Sequence, residues 1–429
     1  MIATVLENNP VLDALLGTGT AGLSPAVWSV LEFVLFVVLV LIAVQAARTY
    51  YLRYIQEKFI YNQEWVLLNI RIPREVLRSP EAMELALNAF HQGGGIGTWY
   101  NRLVKGAVLM WFSLEIVSIE GSIYFFVHVS RKFKDLIESQ IYAQYPQAEI
   151  TEVEDYTKHV PLYEKGNGWS VFGSEMVLTD PDPYPIKTYI DYGLDKSVGR
   201  KEEEKIDPLT LQLEFLGSIG AGEQIWTQII VRKAHKRFRD PGRVWWNPKT
   251  WTKKRDWVGE GKDLLKKLLK DAKGEEAGSG LMQMSKAQRE VFEAVERSID
   301  KLGFDAGIRV MYIAKDEAFD PNRIAGLLGM YRPFGSTYLN GFRPVANTIP
   351  SFDYPWQDKS GKKKDARRRE LQKAYIERGY FYPPYEHKPF VLNTEELATL
   401  FHFPGKVLVA PGVKRVESRT AEPPPNLPQ

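Results

Sequence analysis

Apolar and polar positions change their spacing several times along the chain, and each change predicts a different element. Residues 26–47 are almost continuously apolar, and about 20 such residues cross a bilayer as a helix. Further on, apolar residues alternate with polar ones in short segments, which indicates β-strands with one buried face. Between those segments they recur every three or four positions, as on the buried side of an amphipathic helix. The chain is therefore predicted to be an α+β protein with an N-terminal transmembrane helix.

The first alternating region predicts a unit over residues 64–157. Val66 and Leu68 share one face of a strand, a helix capped by Ser79 follows, and a tight connection at Glu120–Gly121 joins the next two strands. A second helix and a short strand complete the order βαββαβ. This order predicts a ferredoxin-like unit, in which two helices cover one face of an antiparallel sheet.

A second α+β unit is predicted over residues 158–345. It begins with a turn-rich stretch, 157–185, and with a strand "IKTYIDYG" at 186–193. Helix caps at Asp207 and Ser285 are each followed by an apolar stripe and later by an apolar strand. The element order resembles that of the first unit, so two ferredoxin-like units with a helical insertion are expected.

The insertion, residues 237–285, is rich in basic and aromatic side chains. Its candidate contact residues are Trp245, Trp246, Trp251, Trp257, Lys253, Lys254 and Arg255. A lysine-rich helical pattern follows them, with a narrow leucine stripe formed by Leu264, Leu265, Leu268 and Leu269. Basic amphipathic segments with aromatic anchors are typical of helices at membrane surfaces. Basic and aromatic side chains also bind single-stranded nucleic acid. A solvated helical hairpin is the third interpretation, and all three stay open.

The remaining boundaries follow changes in composition. Residues 1–24 precede the membrane helix, which is placed at 25–47, and an aromatic juxtamembrane stalk follows at 48–63. The stretch 346–390 is irregular and strongly basic, and it is predicted to be mainly an exposed loop. Residues 391–429 contain a short helix and a proline-rich tail that favours extended polyproline II geometry.

The absence of cysteine and the distribution of charge bear on the cellular location of the protein. The 429 residues include no cysteine, which excludes disulfides and thiolate metal sites. Arg48, Arg53 and Lys58 follow the apolar run, whereas the charged residues that precede it are all acidic. The positive-inside rule then predicts a single-pass cell-membrane protein with its N-terminus outside and its bulk in the cytoplasm. A cleaved signal peptide fits less well, because no basic region precedes the run.

No catalytic or cofactor motif is recognisable in the sequence. "GEGKD" at 259–263 lacks the first glycine and the Ser/Thr of a phosphate-binding loop, and "GGGIG" at 93–97 follows a helix rather than a strand. The histidines have no metal-ligand spacing. His128 is predicted to be a surface residue, and His402 to have a capping or packing role. A protein without enzymatic activity, metal or cofactor is therefore expected.

The C-terminal helix has clear boundaries. Asn393 and Glu396 form a capping box, and Pro404 with the next glycine ends the helix. Its candidate partner-docking residues are Leu397, Leu400, Phe401, His402 and Pro404. Burial of this apolar edge against the chain's own core is the alternative, given equal weight because apolar faces usually bury within the chain.

Five motifs carry a resemblance to known proteins over residues 64–429. They are "IPREVLRSPEAMELALNAFH", "FSLEIVSIEG", "ESQIYAQYPQAEITEVEDY", "SIDKLGFDAGIRVMYIAKDEAF" and "LNTEELATLFHFPG" with the later "SRTAEPPPNLP". With these motifs the chain resembles a family of bacterial membrane proteins. Regions of that family precede, or stand beside, ATPases of the type IV secretion and conjugation class, which resemble the HerA and FtsK motors.

The resemblance implies a non-enzymatic, membrane-anchored scaffold that docks or regulates a secretion or DNA-translocation ATPase. This sequence contains no phosphate-binding loop, so the ATPase is expected to be a separate chain. The C-terminal helix and tail would form the docking element, and self-association is left open. A binding module for lipid headgroups or single-stranded DNA is the alternative function. An enzyme whose site assembles only in the fold is a third.

Overall fold

The computed structural model describes residues 25–72, 78–92, 98–195, 207–234, 257–273, 284–345, 354 and 356–404. Its helices there are α1 (Pro25–Tyr61), α2 (Pro80–Leu87), α3 (Trp99–Leu103), α4 (Lys134–Gln144), α5 (Pro208–Gly217), α6 (Trp257–Lys273), α7 (Lys286–Ile299), α8 (Arg323–Gly329), α9 (Lys362–Ile376) and α10 (Thr394–Leu400). Its strands are β1 (Trp65–Arg71), β2 (Phe112–Ile119), β3 (Ser122–Ser130), β4 (Glu149–Val153), β5 (Trp169–Leu178), β6 (Glu223–Lys233), β7 (Gly303–Lys315), β8 (Phe342–Pro344) and β9 (Phe390–Asn393).

All the strands of the described residues belong to one antiparallel sheet. Their order is β4-β1-β3-β2-β6-β7-β5-β8. The ninth strand, β9, pairs with residues 303–306 of β7, whereas β5 pairs with residues 308–315 of the same strand. The long β7 therefore has two partners end to end along one edge.

The pairing of β2 with β6 joins the two halves of the sheet. Phe112–Ile119 pairs on one side with β3 and on the other with residues 224–231 of β6. Without β6, β2 would be an edge strand with a row of unpaired backbone N–H and C=O groups. The expected pair of separate ferredoxin-like units is therefore not confirmed. The protein is α+β, with an N-terminal apolar helix and one large antiparallel sheet.

Several local sequence signals are confirmed. Glu120 and Gly121, both with positive φ, make the tight β2–β3 turn, which requires the left-handed region at both central positions. The capping boxes predicted at Ser285 and Asn393 both form. The carboxylate of Asp207 caps α5 by accepting from a backbone N–H.

Two expectations for the second half are wrong. Residues 186–193 form turns rather than a strand, and β5 lies instead inside the stretch expected to be turn-rich. The basic run within 346–390 is not an exposed loop, because α9 occupies 362–376 and buries Leu371 and Tyr375. Its exposed basic residues include Lys362, Lys363, Arg369 and Lys373, which reconciles the charge run with a packed helix.

Both faces of the sheet are covered, so its central strands are buried on both sides. On one face α2, α4, α5, α8 and α10 pack over a core that includes Leu68, Leu114 and Ile229. On the other face, α9 and the segment 156–163 enclose a second core around Trp226. Consequently β7 is buried along nearly its whole length.

The N-terminal helix α1 has two different parts. Its most apolar part has a mean hydropathy of 2.7 and is 0% buried within the described structure. This part has the composition and the length of a membrane span. Its last turns contact the sheet domain, where Ile55 is buried. The expected stalk at 48–63 is therefore the end of α1 and the first contact with the domain.

Candidate functional site

A cavity of about 260 Å3 lies where the last turns of α1 meet the sheet. We call it the foot cavity. The loop 376–385 closes its other side, after α9 has ended. Its lining is rich in aromatic residues, namely Tyr61, Trp65, Trp111, Tyr380, Phe381, Tyr382 and Tyr385. Apolar, aromatic concavities with a few polar groups are the usual form of small-molecule sites in proteins.

A close backbone contact positions α1 against this cavity. Gly106 has φ +65°, and a Cβ there would overlap the carbonyl group of Ile55 in α1. Only glycine adopts this conformation readily while letting two backbones approach so closely. The contact holds the end of the apolar helix beside the strands that line the cavity.

The aromatic side chains of the cavity contact one another at defined angles. The rings of Trp65 and Trp111 lie 5.0 Å apart at an interplanar angle of 42°. Trp111 and Tyr382 lie 5.7 Å apart at 43°. Trp65 also stacks on the imidazole of His128, with 5.0 Å between ring centres. These tilted rings form a curved apolar wall and leave ring faces at several orientations.

A buried ion cluster forms the polar side of the cavity. The Arg378 guanidinium donates to the two carboxylate oxygens of Glu115, at 3.0 and 3.2 Å, and to both oxygens of Asp155. It also donates to the carbonyl oxygen of Ile376 at 2.9 Å, so all five of its N–H donors are engaged. Such saturation is what makes a buried guanidinium tolerable.

The pKa values of this cluster follow from its pairing. Burial disfavours both carboxylates, but Arg378 holds the pKa of Glu115 and of Asp155 below their usual values. Burial also disfavours the guanidinium, but Glu115 and Asp155 raise the pKa of Arg378 well above its usual value. The cluster is therefore ionised and carries two negative charges and one positive charge.

Neutral groups complete the hydrogen bonding around Glu115. Ser113 donates at 2.6 Å, Gln228 at 3.0 Å and the Tyr156 hydroxyl at 2.8 Å. The hydroxyls of Tyr156 and Tyr375 lie 2.9 Å apart. Burial and the Glu115 charge raise the pKa of both phenols, so they remain protonated donors rather than nucleophiles.

His128 lines the foot cavity, and its predicted surface position is wrong. The residue is partly buried, and its Nδ1 is shielded from solvent without a hydrogen-bond partner in the described structure. Burial and the Arg378 charge lower its pKa to about 3, so the imidazole is neutral at physiological pH. Alternation with Phe126 suggested an exposed face, but α9 and its following loop cover that face of the sheet.

The rim of the cavity is acidic. Glu57 from α1 and Glu377 after α9 both line it, and Lys373 lies 3.8 Å from Glu377. Burial raises the pKa of Glu377, Lys373 lowers it, and the nearby Glu57 raises it further. Three effects raise the pKa of Tyr61, and the charge of Glu377 is the largest. Burial of the phenol comes second, and the charge of Glu57 comes third. These couplings show that the two carboxylates act on the same small volume.

The predicted docking residues lie in the chain's own core. Leu397, Leu400, Phe401 and His402 are buried, and Pro404 is partly exposed. Phe401 packs edge-on against Phe125 of β3, with ring centres 5.9 Å apart. An exposed apolar edge is therefore wrong for these side chains, because the sheet already covers them. Docking of a partner by the segment as a whole stays a prediction.

His402 has the packing role expected from the sequence. Its Nε2 lies 3.0 Å from a carboxylate oxygen of Asp207, and its Nδ1 lies 2.9 Å from the carbonyl oxygen of Ala398. Glu396 accepts from the backbone N–H groups of Asn393 and Ile186, at 2.8 and 2.9 Å. These contacts fasten α10 to the domain at both of its ends.

Most of the insertion's predicted contact residues lie outside the described residues, namely Trp245, Trp246, Trp251, Lys253, Lys254 and Arg255. Trp257 is buried and packs at Gly303, so it is not a free surface anchor. The leucine stripe of α6 is half-buried, and α6 packs along α7. The packing of α6 along α7 therefore agrees best with the interpretation of this region as a solvated helical hairpin. The rejected "GEGKD" motif lies within α6, whereas "GGGIG" lies outside the described residues.

Metal chemistry has no assembled ligand set in the described part of the chain. No group of three or more His, Cys, Asp or Glu side chains there is arranged to hold an ion. The foot cavity instead offers aromatic faces, a neutral imidazole and excess carboxylate. Those groups suit the binding of an organic molecule better than the coordination of a metal.

The comparison with known families covers part of this site. Residues 104–415 match the family described as "Domain of unknown function (DUF8128)". The chain belongs to this family. No curated protein matches the chain. The ion cluster lies inside the DUF8128 region, whereas the α1 wall and Trp65 come from residues that precede it.

Proposed function

We propose that the protein is a non-enzymatic, membrane-anchored platform that docks or regulates a secretion or DNA-translocation ATPase supplied as a separate chain. The observation that carries the membrane-anchored part of the proposal is the continuity of α1. One unbroken helix of 37 residues contains the exposed apolar segment and the buried Ile55 contact with the domain. An anchor joined so directly to a folded domain holds it at a fixed distance from the membrane.

The proposed orientation places the sheet domain in the cytoplasm of a single-pass membrane protein. Arg48, Arg53 and Lys58 follow the apolar segment on the same helix, on the side where the domain packs. Basic residues at this end favour the cytoplasmic side. The bilayer's anionic inner surface would attract them as well.

We also propose that the first half of the sheet is a ferredoxin-like element extended by β6. Strands β4-β1-β3-β2 are antiparallel neighbours, and α2 and α4 pack on the same face. That order and layering are those expected for a βαββαβ unit. Extension through β6 would then build the larger platform on which the C-terminal segment rests.

The docking part of the proposal rests on the resemblance and on how the C-terminal segment is held. Contacts of Glu396 and His402 fix α10, and residues 405–429 follow the last described position. Because the helix itself is buried, we assign the contact with the ATPase to those following residues. The proline-rich sequence there suits recognition as an extended ligand.

A second candidate function is binding of an anionic surface by α6. Its Lys262, Lys266, Lys267 and Lys270 are exposed. The neighbouring α7 exposes Glu290, Glu293 and Glu296, however, which offsets the basic charge. Lipid headgroups or single-stranded DNA as ligands would require the insertion's residues outside the described ranges.

The test removes residues 405–429 from the full chain. We expect an unchanged melting temperature in detergent, because the buried contacts of α10 remain. Purified from crosslinked native membranes, the full chain should enrich a protein with a phosphate-binding-loop motor domain, and the shortened chain should not. The proposal is wrong if the full chain enriches no such motor protein, and the assignment of the contact to residues 405–429 is wrong if both chains enrich it. Salt-dependent binding of both chains to anionic vesicles or DNA would favour the second candidate.

A further inference from the structure

We infer that the foot cavity is a binding site for a small organic cation, of the substituted-ammonium class with an apolar body. The inference concerns the cavity's own ligand, and it goes beyond the proposed docking of an ATPase. It stands on the ring geometry, the charge balance and the unpaired polar atoms of the cavity.

The ring geometry provides faces for a cation. Trp65, Trp111 and Tyr382 line the cavity together, and their rings are tilted against one another rather than stacked. Aromatic faces attract ammonium ions, and tryptophan does so most strongly. The chain already uses the same chemistry beside the cavity, where the Arg232 guanidinium lies 4.3 Å from the ring of Phe381 and 5.0 Å from that of Tyr382.

The charge balance selects a cation over an anion. Glu57, Asp155 and Glu377 contribute carboxylates to the lining, whereas Arg378 is its positive residue. All five guanidinium donors of Arg378 are engaged by protein oxygens, so none remains for an incoming carboxylate or phosphate. The charge on Lys373 offsets Glu377 only in part, because at 3.8 Å the two side chains form an exposed pair.

Two shielded polar atoms can orient the ligand. His128 Nδ1 and Trp111 Nε1 are buried without hydrogen-bond partners in the described structure, and both residues line the cavity. Buried polar atoms without a hydrogen-bond partner are uncommon in folded proteins, so a bound ligand would be expected to pair with them. A neutral imidazole does not repel a cation, and the indole N–H can donate to a ligand hydroxyl or carbonyl oxygen.

The position of the cavity favours a free solute over a lipid headgroup. Its α1 residues, Glu57, Ile60 and Tyr61, come 10 to 14 positions after Ala47, where the apolar run ends. At 1.5 Å per residue this is roughly 15–20 Å along the helix. The headgroup layer of one leaflet is only about 5–8 Å thick.

The test measures binding of soluble probes to the full chain in a maltoside detergent. The probes are choline, its uncharged carbon isostere 3,3-dimethylbutan-1-ol, benzyltrimethylammonium and benzoate. Tryptophan fluorescence, to which Trp65 and Trp111 of the cavity contribute, and calorimetry both measure binding. We expect choline to bind about tenfold more tightly than its isostere, the effect of one cation–π contact of ordinary strength. Benzyltrimethylammonium should bind more tightly still, and benzoate should not bind.

Variants separate the charge from the aromatic wall. Glu57→Gln and Glu377→Gln should weaken cation binding several-fold and leave the isostere unaffected. Tyr61→Leu, at an exposed position, should weaken the binding of benzyltrimethylammonium. Glu290→Gln and Tyr142→Leu are the matched controls outside the cavity and should change neither.

Three outcomes would overturn the inference. They are equal affinity for choline and its isostere, tighter binding of benzoate, and cation binding that neither glutamate variant changes. Nanodiscs test the source of the ligand. If phosphatidylcholine blocks the probes and phosphatidylglycerol does not, the ammonium comes from a headgroup, and the assignment to a free solute is wrong.

Discussion

His402 and Asp207 form a buried ion pair that joins the C-terminal segment to the start of α5. The Nε2 of His402 lies 3.0 Å from Asp207 Oδ2, across 195 positions of sequence. The other oxygen of the same carboxylate accepts from the backbone N–H of Leu209 at 2.9 Å and so caps α5. A single side chain thus couples a helix cap to the packing of the terminal segment.

This pair leads us to expect stability that falls as pH rises from 6.5 to 8. Burial disfavours the imidazolium, but Asp207 raises the pKa of His402 above the ordinary 6.5. Burial raises the pKa of Glu396 to about 8. In this range these two groups bind more protons in the folded chain than in the unfolded chain, so their contribution to stability decreases as pH rises. Melting temperatures of the full chain in detergent should show that decline.

Substitutions identify the groups responsible for the decline. His402→Gln and Glu396→Gln should each flatten the pH dependence, because neither replacement titrates. Asp207 affects stability in the acidic range. Burial raises the pKa of its carboxyl group, but His402 lowers it by more, so the net pKa lies below the usual value of 3.8. The stability that the Asp207 carboxylate contributes is therefore lost as the pH falls below 3.8. A melting temperature that rises from pH 6.5 to 8 would contradict the argument.

Arg378→Met should be among the most destabilising single substitutions on the sheet's α9 side. It would leave Glu115 and Asp155 as buried charges without their partner, which costs about 3–5 kcal/mol of unfolding free energy. Arg369→Met is the matched control, since Arg369 forms an exposed pair with Glu164 and should lose about 1 kcal/mol or less. Urea unfolding in detergent measures both.

A rescue experiment tests the cause. Adding Glu115→Gln and Asp155→Asn to Arg378→Met removes the unpaired charges and should recover part of the lost stability. If the triple variant is no more stable than Arg378→Met alone, packing of the arginine side chain, rather than its charge, is the dominant contribution.

Local signals in the sequence predicted much of the first half of the fold. The alternation in β1, the cap at Ser79 and the Glu120–Gly121 turn each depend on neighbouring residues, so the sequence could reveal them. The joining of β2 to β6 could not be predicted, because alternation does not specify which strand lies alongside. β5 was missed because Gly173 and Glu175 interrupt its apolar pattern, although Glu175 is buried against Arg309.

The candidate site was less accessible from the sequence. Arg378 and Glu115 are 263 positions apart, so no local motif links them. A signal was nevertheless present, because Glu115 is a charged residue inside an otherwise apolar strand, and a buried charge requires a partner. Leu371, Ala374 and Tyr375 likewise have the spacing of a buried helix face within the basic run.

Gly106→Ala should loosen the contact between α1 and the domain. The new Cβ would overlap the backbone of Ile55, and the residue's φ of +65° disfavours any side chain. Gly166→Ala is the matched control: its φ is +86°, but nothing lies within 4 Å of the added atom. Both variants bear about 1–2 kcal/mol of backbone strain, and only Gly106→Ala adds a clash. Limited proteolysis between α1 and β1 should therefore accelerate for Gly106→Ala alone.

Shortening the chain at two points should separate membrane anchoring from domain stability. A chain that begins at residue 48 lacks the apolar segment but keeps Ile55 and the α1 wall of the foot cavity. We expect it to stay soluble without detergent and to melt close to the full chain. A chain that begins at residue 62 should also be soluble but less stable, because burial of Ile55 contributes about 1.5–3 kcal/mol. Flotation with liposomes measures the anchoring and thermal melts measure the stability. If the chain from residue 48 still floats with liposomes, a second membrane contact exists. Substitutions on the lysine-bearing face of α6 should then be the first used to locate that contact.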